Sequence, residues 1–246
     1  MPVEQHFWFA KLLNDLLGGW VTTLMARAGF PPANPHYPIP DYVAGEFLVF
    51  LVLVIAAIVL RRRLSVENPG KFQHAMEIFL EFTQNLVDEM IGHDGRQYVP
   101  LIGTLGLFIA VCNVLGLIPM FITPTASIQV PLGCAALVFI HYNFQGLRQH
   151  GILGYLRHLC GPMMAIAIIM LPTEIFSNVL RMLSLSVRLW ANMMVGGLLE
   201  HVFTGLIPIA VPAIFMALHI FESFLQAYVF MILPALYISL AIQEEH

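Results

Sequence analysis

The sequence predicts an all-α membrane protein of about five membrane helices, the last two forming a long, steeply tilted antiparallel hairpin. Three observations carry that expectation. Of 246 residues, 59% are hydrophobic and only 11% are charged, against roughly 25% charged in a soluble domain. The apolar residues come in blocks long enough to cross a hydrocarbon core about 30 Å thick. The last third holds two helical patterns of about 33 residues each, or about 50 Å, too long to stand upright in that core.

The elements follow in order. Residues 3–28 carry an amphipathic pattern, with Phe7, Leu12, Leu13, Leu16 and Leu17 on one side. Such a helix suits either a membrane interface or packing on the rest of the chain. The stretch FPPANPHYPIP (30–40) contains five prolines and must be extended, since proline cannot continue a helix. Residues 1–41 thus form an amphipathic and Pro-rich segment, and 42–246 a helical membrane domain. Residues 42–60 give the first span, closed by Arg61-Arg62-Arg63. Residues 71–91 alternate acids and apolar residues at helical spacing and read as a surface helix. The second and third spans cover about 98–118 and 127–147, joined by the turn PMFITPTAS. The two long patterns run from Leu171 to about Phe203 and from about Ile207 to Ile242, and must tilt steeply, kink at Pro212 or Pro234, or partly follow the membrane plane.

Composition also excludes classes of function. Net charge is −4 and the triple arginine is the only basic tract, so nucleic acid is not a partner. Cys112, Cys134 and Cys160 have neither metal-site nor dithiol spacing and read as inert buried thiols. The ten histidines form no HExxH motif, so no metal or other cofactor is expected. The start of the chain is polar and amphipathic, unlike a secretory signal.

Basic residues set the orientation. The connection 61–97 holds five Lys or Arg and 148–157 holds two, whereas 119–126 and 203–212 hold none. By the positive-inside rule the triple arginine is cytoplasmic, which places the N-terminus outside and the C-terminus inside. Lys11 and Arg27 mildly oppose this.

Within LSLSVRLWANMMVGGLL (183–199) Arg188 is the only charge. An arginine at mid-membrane costs about 2.5–3.5 kcal/mol on insertion scales. Residues seven apart share a helix face, so Glu174, Arg181, Arg188 and Asn192 form one stripe, with Ser184 beside it. If the chain reverses near Gly205–Pro208, residues near 222–228 face Arg188, among them Glu222 and Gln226, with His219 on the same side. Intramembrane ionisable groups usually mark ion or substrate routes. Plainer readings stay open: Arg188 can snorkel or hold a structural ion pair, His219 can be a packing residue, and Glu200 and His201 can simply meet water near the hairpin.

These residues resemble a known family, the a subunit of the F-type ATP synthase. SLSVRLWANM (184–193) is similar to that family's arginine motif and LQAYVF (225–230) to its glutamine motif. NVLGLIP (113–119), PTASIQV (124–130), PTEIFSNVLRMLSLS (172–186) and the ending YISLAIQEEH add to the resemblance, which runs from about residue 40 onward. It implies that Arg188 is the essential arginine, Asn192 the asparagine one turn later and Gln226 the glutamine of the last helix. Glu174 matches an acid near the cytoplasmic exit and Asn113 a polar residue near the inlet. Two positions depart from the family. Gly197 stands where many members carry Glu or His, and His219 where many carry Glu, so His219 with Glu222 is the expected substitute relay.

What the resemblance implies is a stator that offers protons two half-channels beside a ring of c subunits. The outer would run past Asn113, Asn192, His219, Glu222 and Gln226, and the inner past Glu174 and Ser184, with Arg181, Glu200 and His201 as further candidates. The chain would be no enzyme by itself. Its partners would be the c-ring, b-type peripheral stalk subunits, the rest of the ATP synthase and the bilayer of a bacterial inner membrane. The runner-up is a stand-alone secondary transporter binding an anion at Arg188. Such transporters often show repeats or broken helices in both halves, and none is visible here.

Overall fold

The computed structural model describes residues 7–29, 34, 37–118, 121–160, 164–206 and 210–242. Some side chains within these ranges fall outside the description, those of Glu200 and His201 among them. The described residues form seven α-helices and no strand: α1 (Trp8–Arg27), α2 (Asp41–Arg63), α3 (Lys71–Met90), α4 (Val99–Leu115), α5 (Gln129–Cys160), α6 (Met164–Leu206) and α7 (Ala210–Ile242). Short 3-10 helices cover His93–Tyr98 and Pro124–Ala126. Among the described residues five segments are long and apolar enough to cross a membrane: Asp41–Arg63, Gly95–Leu115, Gln129–Gln149, Met170–Leu199 and Ala213–Ile242.

Local chemistry explains several helix ends. Pro40 precedes α2, and its three arginines fill the last turn, where cations complement the carbonyl end of the helix dipole. Pro100 sits in the first turn of α4, where a missing N–H costs nothing. The third span ends past its expected limit of 147: helix continues to Cys160, interrupted at Gly151, whose φ of 70° favours glycine. The first long helix likewise starts at Met164, before the expected Leu171, and carries Pro172 inside it. The Thr173 hydroxyl donates to the Met170 carbonyl there, at 2.8 Å. The second long helix contains Pro234; the side chain of Pro212 lies outside the described residues.

The core is the meeting of α4, α5, α6 and α7. Ile102 and Ile109 from α4, Leu189 from α6, and Phe230 and Ile238 from α7 are fully or almost fully buried in one cluster. α5 packs on α6, and α7 packs on α4, α5 and α6. Gly106 of α4 lies directly under Met231 of α7, leaving no room for a Cβ; small residues permit such close helix approach in lipid. α3 turns Thr83, Leu86 and Val87 inward and touches α4 and α7. Its other face stays exposed, as the amphipathic pattern predicts.

Candidate functional site

The last two helices pair in an antiparallel register that three contacts define. Near one end the rings of Phe203 and Phe215 stack, 4.5 Å apart and inclined by 15°. Further along, a Cβ on Gly196 would stand 3.1 Å from Nε2 of His219. Beyond that, the Arg181 guanidinium lies over the Tyr237 ring, 5.5 Å from its centre. From the first contact to the last, 22 residues back along α6 match 22 forward along α7. Arg188 is therefore level with Ala227–Phe230, about one turn beyond the centre of the expected 222–228. The offset arises because α6 runs to Leu206 and α7 starts at Ala210, later than a turn at 205–208 implies.

Spacing on α6 decides which way Arg188 points. Leu185, Leu189 and Met193, four apart, form the buried ridge against the core. Ser184 and Arg188 sit one position behind that ridge and are exposed. Among the described residues no carboxylate pairs with Arg188. Its guanidinium, ionised at any physiological pH, thus faces outward from the chain at mid-length of the hairpin.

Two cavities flank it along α6. The larger, about 660 Å³, is lined by Pro172, Ser177, Arg181, Ser184 and Tyr237, among others. Next to it Glu174 approaches Arg181 at 4.0 Å, a loose pair, partly exposed and worth at most about 1 kcal/mol. The smaller, about 150 Å³, lies between Asn192 and Gly196 of α6 and His219 and Glu222 of α7. Ser184 is one turn before Arg188 and Asn192 one turn after it, and Arg188 lines neither cavity.

The small cavity borders a buried polar strip on α7. His219 is 4% exposed and Gln226 wholly buried. Both ring nitrogens of His219 and both amide atoms of Gln226 lack a hydrogen-bond partner among the described residues. A buried polar group costs about 1–3 kcal/mol if nothing pairs with it, so each of these atoms calls for a water or another polar partner. Between them Ser223 donates to the His219 carbonyl at 2.7 Å. Asn113 of α4, fully buried, donates to the Ser223 carbonyl at 3.4 Å and accepts from the Thr125 hydroxyl at 2.7 Å. Polar groups therefore run from the 121–128 connection across α4 to α7.

The structure brings Asn192, His219 and Glu222 together at the small cavity, with Asn113 joined to α7 through Ser223 and Gln226 buried near the level of Arg188; Arg181 and Ser184 line the larger cavity, with Glu174 beside it. The side chains of Glu200 and His201 lie outside the described residues. Sequence reasoning misses Thr125, Ser223 and Tyr237. Ser223 is findable, four residues after His219 and three before Gln226 on one helical face. Tyr237 needs the true register, and Thr125 sits in a connection where periodicity says nothing. A Cβ added at Gly197 would meet no neighbouring atom of the described residues within 4 Å.

Known proteins match this chain over nearly its whole length. The ATP synthase subunit a of Koribacter versatilis is 43% identical over 244 residues, 99% of this chain and 100% of that protein. The subunit of the same name from Solibacter usitatus is 40% identical over 235 residues, 96% and 100% of the two chains. That from Sulfurihydrogenibium is 40% identical over 207 residues, 84% and 99%. Residues 44–239 also match the profile of the ATP synthase A chain, and with identities of this size over full-length relatives, the chain belongs to that family.

Proposed function

We propose that this chain is the ion-conducting stator of a rotary ATP synthase, offering two proton half-channels to carboxylates on a neighbouring ring of c subunits. The observation that carries the reading is Arg188, outward-facing and level with neither cavity, with a small polar cavity on one side and a larger one on the other. A carboxylate facing lipid stays protonated, because its bare charge is too costly there. Opposite Arg188 the positive charge favours the ionised form and releases the proton. The same charge repels a proton attempting to cross from one cavity to the other, so protons pass only by riding the ring.

In this reading the inlet runs past Thr125, Asn113, Ser223, Gln226, His219, Glu222 and Asn192. His219 suits a relay because an imidazole can accept a proton at one ring nitrogen and donate from the other. The outlet is the larger cavity beside Ser184, where the fixed charge of Arg181 speeds release and Glu174 passes protons to the aqueous side. The chain itself makes and breaks no covalent bond other than those to protons. The hairpin, longer than the bilayer is thick, lies inclined against the ring. The basic connection after α2 faces the cytoplasm of a bacterial cell, the N-terminus lies outside, and a b-type stalk holds the chain still.

The test is Arg188→Ala in membrane vesicles. ATP-driven acidification should vanish while ATP hydrolysis by the soluble sector persists. Mild-detergent purification should also bring the ring along. A normal acidification rate in the variant, or a chain that purifies alone and takes up an anion, overturns the reading.

A further inference from the structure

α1 has three faces, and only two are accounted for by the fold. Ala10, Leu13 and Asn14 turn inward. Asn14 clasps the backbone of Ile39 in both directions, donating to its carbonyl at 3.0 Å and accepting from its N–H at 2.9 Å. Lys11 and Asp15 form a narrow exposed polar edge. The third face is a ridge of Trp8, Leu12, Leu16, Trp20 and Leu24, each four residues after the last, every one exposed and Trp20 76% so.

Contacts fix where α1 lies. Its N-terminal Phe7 and Trp8 meet Phe121 in the connection between α4 and α5, with ring centres 5.8 and 6.4 Å apart. Its middle meets Ile39 and Ala44 at the start of α2. The Tyr37 hydroxyl donates to the Asp41 carboxylate at 2.8 Å. Burial, and then that carboxylate, pushes its pKa well above the phenol range, so it remains a donor and holds the joint at any physiological pH. All these partners belong to one end of the membrane spans, so α1 lies across that end. From α1 an apolar groove of about 420 Å³, lined by Leu17, Val21, Pro38, Val43 and Phe47 among others, leads onto α2. There Phe47, Phe50 and Val54 are exposed on a membrane span.

We infer that α1 is an interfacial helix whose Trp8–Leu24 ridge and adjoining groove bind the phospholipid of the leaflet at the start of α2. A core-facing side, a thin charged edge and an apolar ridge rich in tryptophan are what a helix needs when protein, water and acyl chains meet it on three sides. Lipid is the occupant because the ridge continues, through the groove, into the lipid-facing flank of α2. A helix in water would leave two tryptophans and three leucines wet along one line.

The inference is tested by spin labels in the intact complex, reconstituted in phosphatidylcholine–phosphatidylglycerol vesicles on a cysteine-free background. Single cysteines replace Leu16, Trp20 or Val21, and Lys11 or Asp15. Collisions with oxygen, which concentrates in lipid, and with a water-soluble nickel chelate are compared at each site. The oxygen-to-nickel ratio is expected to be several-fold higher at Leu16, Trp20 and Val21 than at Lys11 and Asp15. Nickel access at the ridge equal to that at Lys11 overturns the inference, placing α1 in water. Exclusion of both reagents from the ridge overturns it too, showing that another polypeptide covers that face.

Discussion

The two cavities beside Arg188 differ in kind. The larger holds a second guanidinium, that of Arg181, which is already engaged by the Tyr237 ring and by Glu174. The smaller holds groups that can change protonation or turn their hydrogen bonds, His219, Glu222 and Asn192, with the unpartnered Gln226 amide close by on α7. One side carries permanent positive charge and the other carries none. Permanent charge drives protons away, whereas adaptable polar groups hand them on. Under the proposed function the asymmetry assigns the two sides opposite halves of one transfer, release beside Arg181 and delivery past His219.

Removing the partition should give the largest effect. A unit charge at about 8 Å in a medium of effective dielectric near 20 repels a passing proton by about 2 kcal/mol, roughly a 30-fold barrier. Arg188→Ala should raise passive proton leak through the stripped membrane sector by about that factor, read as decay of an imposed pH gradient. An unchanged leak would mean that the two cavities are separated by something other than charge.

The delivery side should be next. His219→Ala or Glu222→Gln alone should slow proton-driven synthesis several-fold, and the double variant by about tenfold or more, since each side chain can take up and hand on a proton in the other's absence. A double variant that conducts like the parent would remove both from the path, leaving Glu200 and His201 to be tried.

A smaller effect separates neighbouring glycines. A methyl on Gly196 crowds the imidazole of His219, whereas one on Gly197 meets no described neighbour within 4 Å. Gly196→Ala should slow synthesis about two- to threefold, a strain of under about 1 kcal/mol at the relay, while Gly197→Ala should leave the rate unchanged. Equal rates for the two would show that His219 yields freely. The smallest effect belongs to the release side. Tyr237→Leu removes a cation–π contact of about 0.5–1 kcal/mol and should lower the pumping rate by less than half, with Tyr237→Phe indistinguishable from the parent. A large loss in the Phe variant would instead give the hydroxyl a role in release.

Much of this was legible because helices repeat. The stripe of Glu174, Arg181, Arg188 and Asn192 and the run of His219, Glu222 and Gln226 follow from a period of about 3.6, and the pairing of the two runs from a reversal near residue 207. Periodicity assigns residues to a face but does not say what covers that face. His219 and Glu222 read alike in the sequence, yet one is buried and the other half-exposed: Gly196 leaves room for the imidazole, whereas Glu222 lines the cavity that remains between α6 and α7. The N-terminal helix shows the same limit. Phe7, Leu12, Leu13, Leu16 and Leu17 share a side, but only Phe7 and Leu13 are buried. The extension of α6 back to Met164 was hidden by Pro172, a helix breaker on statistical grounds that this helix tolerates.

The register of α6 against α7 also has a mechanical side. The pair is pinned at two distant points, by stacked Phe203 and Phe215 and by Arg181 on Tyr237, with Arg188 between them. A beam held at both ends deflects least under a sideways load applied between its supports, and far less than one held at a single end. Any neighbour sliding past the exposed face of α6 pushes on the stretch between the pins, so they join the buried ridge of Leu185, Leu189 and Met193 in limiting how far the guanidinium is carried along before it springs back. Loosening the Phe203–Phe215 pin would leave every polar group in place and, in the proposed function, still blur the timing of each passage.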